Sequence, residues 1–197
     1  MSRTSQRHRA TAESNVSIRL DLDSSTPPVV STGLPFFDHM LCQLGKHSGV
    51  TLEVTATGDL QVDPHHTVED VGIVLGETLA EALGEKAGVR RFASVSLPLD
   101  ETLVNVALDL SGRSYLRYDV EMGPDSAGLG SPPFEPQLAE EFWRAFVNGA
   151  KLTLHITLAY GRNPHHILEA SFKGVARALR EAMRIEGDGV PSTKGML

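Results

Sequence analysis

Apolar and polar residues alternate through positions 16–22, with Val16, Ile18, Leu20 and Leu22 on one side of an extended chain and Ser17, Arg19 and Asp21 on the other. A turn at 24–28 leads to a short strand at 29–31, and the two-residue period returns at 50–57. Between them, 36–44 is an apolar-rich helix that stops near Gly45 or Gly49. A longer helix at 66–83 repeats Val68, Val71, Leu75, Leu79 and Leu83 at helical spacing before Gly84. A second set follows: strands at 91–97 and 102–110 around a turn at 98–101, an edge strand at 115–120, a helix at 137–147, a strand at 151–160 and a last helix at 166–183. Glycine and proline crowd 123–136, which reads as a long surface loop. Residues 1–9 are polar after Met1, carry Arg3, Arg7, His8 and Arg9, and are expected to be a mobile arm.

The two sets are related. Asp63-Pro64-His65-His66-Thr67-Val68-Glu69 returns one hundred residues later as Asn163-Pro164-His165-His166-Ile167-Leu168-Glu169. The same shift aligns Leu52 with Leu152, Thr57 with Thr157, Leu79 with Leu179 and Glu81 with Glu181, without an insertion. The expected fold is therefore α/β of the α+β kind, with two tandem halves of strand-strand-helix-strand-helix, 1–90 and 91–197. Each half would be a small sheet with helices on one face. Apolar residues on both sides of the 66–83 helix favour a homo-oligomer.

Charge and cysteine content narrow the classes. The 25 acidic and 18 basic side chains give a net charge of -7, a poor balance for general nucleic-acid binding, although local Arg and Lys clusters can still hold one phosphate. No apolar run reaches the roughly 18 residues of a membrane span, and nothing at the start resembles a signal peptide, so a cytoplasmic protein is expected. Cys42 is alone, which excludes an intrachain disulfide and a thiolate zinc site.

The repeated motif is rich in metal ligands. On a helix His65 and His66 lie four and three residues from Glu69, while the adjacent imidazoles diverge, so each is expected to serve a different ion, or an ion of a partner subunit. The same holds for His165, His166 and Glu169. With His39 on the first helix and His155 on a strand, the chain offers donors for two nitrogen-and-oxygen sites suited to Mn, Fe, Co or Zn. The spacing differs from the His-Glu-x-x-His of zinc peptidases. For an anion, Ser192, Thr193 and Lys194 stand in a glycine-flanked tail, and Arg91, Arg113 and Lys173 are further candidates. A dinuclear hydrolase would want a bridging carboxylate that the separate Glu69 and Glu169 do not obviously provide, and a metal-stabilised scaffold would want no anion pocket at all.

These stretches, with Glu13-Ser14-Asn15-Val16, Phe36-Phe37-Asp38-His39-Met40, Pro98-Leu99-Asp100-Glu101, Leu108-Asp109-Leu110-Ser111-Gly112-Arg113 and Leu154-His155-Ile156, make the chain resemble the imidazoleglycerol-phosphate dehydratases from Arg9 to Leu197. The resemblance implies a lyase of histidine biosynthesis that dehydrates imidazole glycerol phosphate to imidazole acetol phosphate. It implies a fold like the second domain of ribosomal protein S5, and a 24-subunit shell with active sites between subunits, each holding two manganese ions about the substrate imidazole or imidazolate. The implied metal ligands are His39, His65, His66, Glu69, His155, His165, His166 and Glu169. The implied phosphate groups are Arg91, Arg113, Lys173, Ser192, Thr193 and Lys194. Glu13 and Gln43 fall at further substrate-contacting positions, Glu13 as the expected acid/base group, with His39 counted both as ligand and as catalytic.

Overall fold

The computed structural model describes residues 3–123 and 127–197 and places them in two four-stranded sheets and four long helices. The first sheet holds β1 (Thr4–Ala10), β2 (Ser14–Asp21), β3 (Val29–Ser31) and β4 (Thr51–Gly58), in the order β1-β2-β4-β3. Helix α1 (Pro35–Ser48) precedes β4, and α2 (His65–Leu83) follows it. The second half repeats the plan with β5 (Phe92–Leu99), β6 (Thr102–Asp109), β7 (Tyr115–Asp119), α3 (Leu138–Ala150), β8 (Thr153–Tyr160) and α4 (Pro164–Ala182). Its sheet order is β5-β6-β8-β7. In both sheets the last-listed strand is parallel to its neighbour and the other pairs are antiparallel.

The strand-strand-helix-strand-helix order is present in each half, preceded each time by one further strand. In the first half that strand corrects the expectation of a mobile arm. Met1 and Ser2 lie outside the described residues, but Thr4–Ala10 pairs along its whole length with β2. It has no apolar alternation because its inward positions carry arginine. Arg9 pairs with the buried Asp70 on α2, and Arg7 reaches Glu77 at 3.1 Å and Glu81 at 3.0 Å on the same helix. Those three carboxylates share one face of α2, so ion pairs fill the place that leucine or valine would take in an ordinary inner strand.

Inner faces elsewhere follow the expected period. Val16, Ile18 and Leu20 stand opposite Ala56, Val54 and Leu52, all buried. Val106 and Leu108 stand opposite Ile156 and Leu154 in the same way. One hydrophobic core runs through both halves, because α2 packs on α3 and α1 on α4, each pair drawing one helix from each half. The α2–α3 crossing is a backbone contact. A Cβ on Gly76 would lie 2.3 Å from the Phe146 carbonyl oxygen, and one on Gly149 would lie 2.7 Å from that of Ile73.

Helix α1 runs past Gly45 and ends at Gly49, whose φ of 73° returns its N–H to the Gly45 carbonyl. Of the loop expected at 123–136, residues 124–126 lie outside the described residues. The remainder is anchored: Leu129 and Phe134 exchange backbone hydrogen bonds, and the fully buried Phe134 ring stacks on Phe37 at 5.5 Å.

Candidate functional site

Both motifs open their helices alike. The His65 N–H donates to Asp63 Oδ1 at 2.7 Å, and the His165 N–H donates to Asn163 Oδ1 at 3.0 Å. These side chains satisfy amides that a helix start leaves unpaired, and they fix where the imidazoles emerge.

The second motif closes into a cluster. His165 Nε2 lies 2.9 Å from Glu169 Oε2, one turn further along, and His39 Nε2 on α1 lies 3.6 Å from the same oxygen. The donor atoms of His39, His165 and Glu169 fall within 4.8 Å of one another. Lys173 donates to the other oxygen of Glu169 at 2.6 Å. Burial works against the charge of Glu169, but Lys173 and then His165 outweigh it and hold the carboxyl below its ordinary range. Phe36 meets the His165 ring edge-on at 5.3 Å. Along α1, Gln43 Nε2 lies 3.5 Å from His39 Nδ1, and His47 Nε2 lies 3.1 Å from Gln43 Oε1.

The first motif has no such third partner. The shift of one hundred puts the buried Ala139 on α3 where α1 has His39. Among the described residues only His39, His165 and Glu169 converge as a ligand group; His65, His66 and Glu69 stand half-buried at the start of α2. His155 points elsewhere again. Its neighbours Leu154 and Ile156 face the core, so its own ring lies on the helix-free face of the second sheet, 5.5 Å from that of Tyr115.

The second histidine of each motif is held by a carboxylate. His66 Nδ1 lies 3.0 Å from Asp59 Oδ2, and His166 Nδ1 lies 2.8 Å from Glu101 Oε2. These partners raise both imidazole pKa values above the ordinary histidine value. Glu101 in turn is held well below the carboxylate range by His166 and by the backbone N–H of Asn163. A further carboxylate faces each Nε2 at 3.9 Å, Glu13 for His66 and Asp100 for His166.

The anion candidates gather around the C-terminal tail. Arg91, Arg113, Ser192, Thr193 and Lys194 line one cleft with Leu197. Asp109 grips Arg91 through two bonds of 2.7 and 3.1 Å, and the free arm of Arg91 donates to the Pro191 carbonyl at 2.8 Å, hanging the tail on this guanidinium. Gly112, at φ 73°, lets the chain terminus approach: a Cβ there would lie 2.5 Å from the Leu197 carbonyl carbon. Lys173 is absent from this cleft, being engaged with Glu169.

The donor set at His39, His165 and Glu169 is two imidazole nitrogens and one carboxylate oxygen, which fits a borderline or hard divalent cation. Cys42 supplies no sulfur to it; burial, and then Asp38, push its thiol pKa up. Asp59, Asp100, Glu101 and Asp109 are not among the site residues expected from the sequence. Asp100, Glu101 and Asp109 stand in stretches that carry the family resemblance, with no role assigned to them there, and Asp59 carries no signal at all.

The model of the imidazoleglycerol-phosphate dehydratase family matches residues 32–179. The chain is 53% identical over 189 residues to the imidazoleglycerol-phosphate dehydratase of Thermus thermophilus, covering 96% of each protein. It is 50% identical over 191 residues to that of Oceanobacillus iheyensis, again covering 96% of each. Among solved structures, that from Pyrococcus furiosus in complex with (S)-C348 superposes with a TM-score of 0.83 at 37% identity, covering 97% of this chain and all of the other.

Proposed function

Because the chain belongs to the imidazoleglycerol-phosphate dehydratase family, enzymes that dehydrate their substrate in histidine biosynthesis, we propose that it converts imidazole glycerol phosphate to imidazole acetol phosphate at a site holding two manganese ions. The observation that carries the metal reading is the convergence of His39, His165 and Glu169. The remaining ligands are His65, His66, Glu69, His155 and His166. When bound, the two ions would supply positive charge at the substrate ring, where the loss of a carbon-bound proton builds up electron density.

The chain's own residues do the rest. Arg91 and Arg113, with Ser192, Thr193 and Lys194, bind the substrate phosphate, and Lys173, held on Glu169 outside that cleft of its own chain, joins the set from a neighbouring copy. Binding energy collected there aligns the reacting carbon. The clamp on Arg91 by Asp109 and Pro191 keeps one guanidinium edge fixed as the tail settles. Glu13 is the acid/base group, since its carboxylate lies 3.9 Å from His66 Nε2 and so at the edge of the metal ligands. Gln43 steadies His39 from the next turn of α1 and offers its amide to the substrate.

His155 and the first motif lie apart from the cluster on α1 and α4, so the full ligand set closes only between copies of the chain. The assembly proposed is a homo-oligomer of 24 chains with intersubunit sites, working in the cytoplasm on a small phosphorylated imidazole. No helix among the described residues is long and apolar enough to cross a membrane.

A Glu13→Gln variant is expected to keep its manganese and lose most turnover. Metal analysis of gently purified protein, paired with its solution mass, tests the site and the assembly together. Undiminished turnover by metal-stripped protein would refute the proposal.

A further inference from the structure

Two carboxylates outside the proposed ligand set hold corresponding histidines of the two halves by the same ring atom. Asp59 meets His66 at Nδ1 and Glu101 meets His166 at Nδ1, at 3.0 and 2.8 Å, leaving Nε2 of each ring directed away from its carboxylate. They come from different places in the repeat. Asp59 follows β4 directly, whereas the corresponding end of β8 offers Ala159 and Tyr160. Glu101 immediately precedes β6, whereas Glu13, immediately before β2, faces Nε2 of His66 at 3.9 Å and leaves Nδ1 to Asp59. The Nδ1 contact is thus supplied from two different places in the repeat.

Both carboxylates are themselves fixed. The Asp59 N–H donates to the Glu13 carbonyl at 3.1 Å. Glu101 Oε1 accepts from the Asn163 N–H at 2.9 Å and from the Arg162 N–H at 3.3 Å, so it also braces the loop that leads into His165 and His166. A carboxylate oxygen at this distance requires the proton on Nδ1. The neutral ring then presents an unprotonated Nε2, the form a cation binds, in one fixed orientation.

We propose that Asp59 and Glu101 are positioning residues for the metal centre, each setting the tautomer and ring orientation of one ligating histidine. The proposal rests on the ligand roles of His66 and His166 given above. An ungripped imidazole would have to rotate and shift its proton before it could coordinate, which weakens the site without removing a ligand.

The test is manganese titration of the full-length protein, with the free ion followed by electron paramagnetic resonance. Asp59→Ala and Glu101→Ala are each expected to raise the Mn2+ dissociation constant about 10- to 100-fold. Asp59→Asn and Glu101→Gln keep an oxygen that accepts from Nδ1–H, and are expected to recover most of the affinity. Melting of the metal-free Asp59→Ala protein, read at alkaline pH where His66 is neutral, should stay near that of the parent chain. The decisive comparison is the double variant: once His66 is replaced by Ala, removing Asp59 should cost no further affinity, and likewise for His166 and Glu101. An equal loss with or without His66 would overturn the positioning role, as would parental affinity in Asp59→Ala. If His66→Ala and His166→Ala themselves bind manganese as tightly as the parent, the ligand reading fails first and the proposal with it.

Discussion

Gly76→Ala tests how the two halves are held in register. Helix α2 bears His65, His66 and Glu69 at its start, and two turns further along it meets the backbone of α3. The new Cβ would lie 2.3 Å from the Phe146 carbonyl oxygen, 2.8 Å from Ala150 N and 3.0 Å from Gly149 Cα. All three are main-chain atoms, so no rotamer change can relieve the contact. Tolerated carbon–oxygen approaches begin near about 3.3 Å, so the helices must separate by roughly 1 Å. Such a gap forfeits about a quarter to a half of the dispersion energy across the crossing. Overpacking of this kind costs about 3 kcal/mol at the upper end of its usual range, while alanine returns about 1 kcal/mol of helix propensity. The net loss of about 2 kcal/mol corresponds to a melting temperature lower by about 4–8 °C in a chain of this size. Gly174→Ala is the contrast. Its Cβ would meet a single Val106 methyl at 2.8 Å and no main-chain atom among its nearest neighbours, so the strain should be smaller than at Gly76 and the net loss less. Differential scanning calorimetry of metal-free protein at fixed concentration reads both. A Gly76→Ala protein melting with its parent, or falling no further than Gly174→Ala, would refute the close-packing account.

The tail and the histidines yield further expectations. Gly112→Ala places a side chain at φ 73° and against Leu197, which should dislodge the tail from Arg91 and Arg113 and raise KM for the phosphorylated substrate by roughly tenfold, about 1.4 kcal/mol, with manganese affinity unchanged in the same titration. Asp59 and Glu101 raise the pKa of His66 and His166, so in metal-free protein these groups add stability that is complete below the unfolded histidine value of 6.5 and lost as pH rises through the raised folded values. Proton and cation compete for the same Nε2, so manganese affinity should run oppositely, falling with acidification from above pH 6.5; titrations at several pH values showing no such fall would count against ligand roles for these two rings. Glu169→Gln removes the charge that His165 and Lys173 share, and should weaken manganese binding while leaving the anion cleft intact, as measured by inorganic phosphate protection of the tail from proteolysis.

Much of this architecture is legible in periodicity because its inner faces are ordinary. Val16, Ile18, Leu20 and their partners on β4 alternate plainly, and the helices carry apolar residues at helical spacing. The first strand is illegible because its inward side chains are Ser5, Arg7 and Arg9, and only the positions of Asp70, Glu77 and Glu81 on a helix 61 to 74 residues away make arginine acceptable there. The site divides in the same way. The repeated His-His-x-x-Glu declares itself by recurrence, and His165 with Glu169 follows from helical geometry. That His39 joins them depends on α1 packing against α4, a tertiary fact no spacing contains. The roles of Asp59 and Glu101 are illegible because a carboxylate in a turn is the commonest of surface residues, and its histidine partner lies 7 positions away in one case and 65 in the other.

What duplication preserved and what it left unequal together bear on how the proposed site is assembled. The backbone plan is shared, with Thr55 opposite Ser17 in one sheet and His155 opposite Ala107 in the other, apart from a register shift between Leu103 and Val104 in the second sheet alone. The chemistry is not shared. The strand position that carries His155 in the second half carries Thr55 in the first, and the helix position that carries His39 in the first half carries Ala139 in the second. The motif on α4 therefore gains a third donor from α1, while the motif on α2 gains none from α3. The remaining imidazole, His155, lies on the sheet face that no helix of its own chain covers. On the proposed ligand set, an ion at the first motif lacks a donor that its own chain cannot bring to it, and His155 is a donor without an ion. On that proposal, contact between copies through the open sheet face would answer both needs at once, and the two motifs would be complementary parts of one site rather than two equal sites.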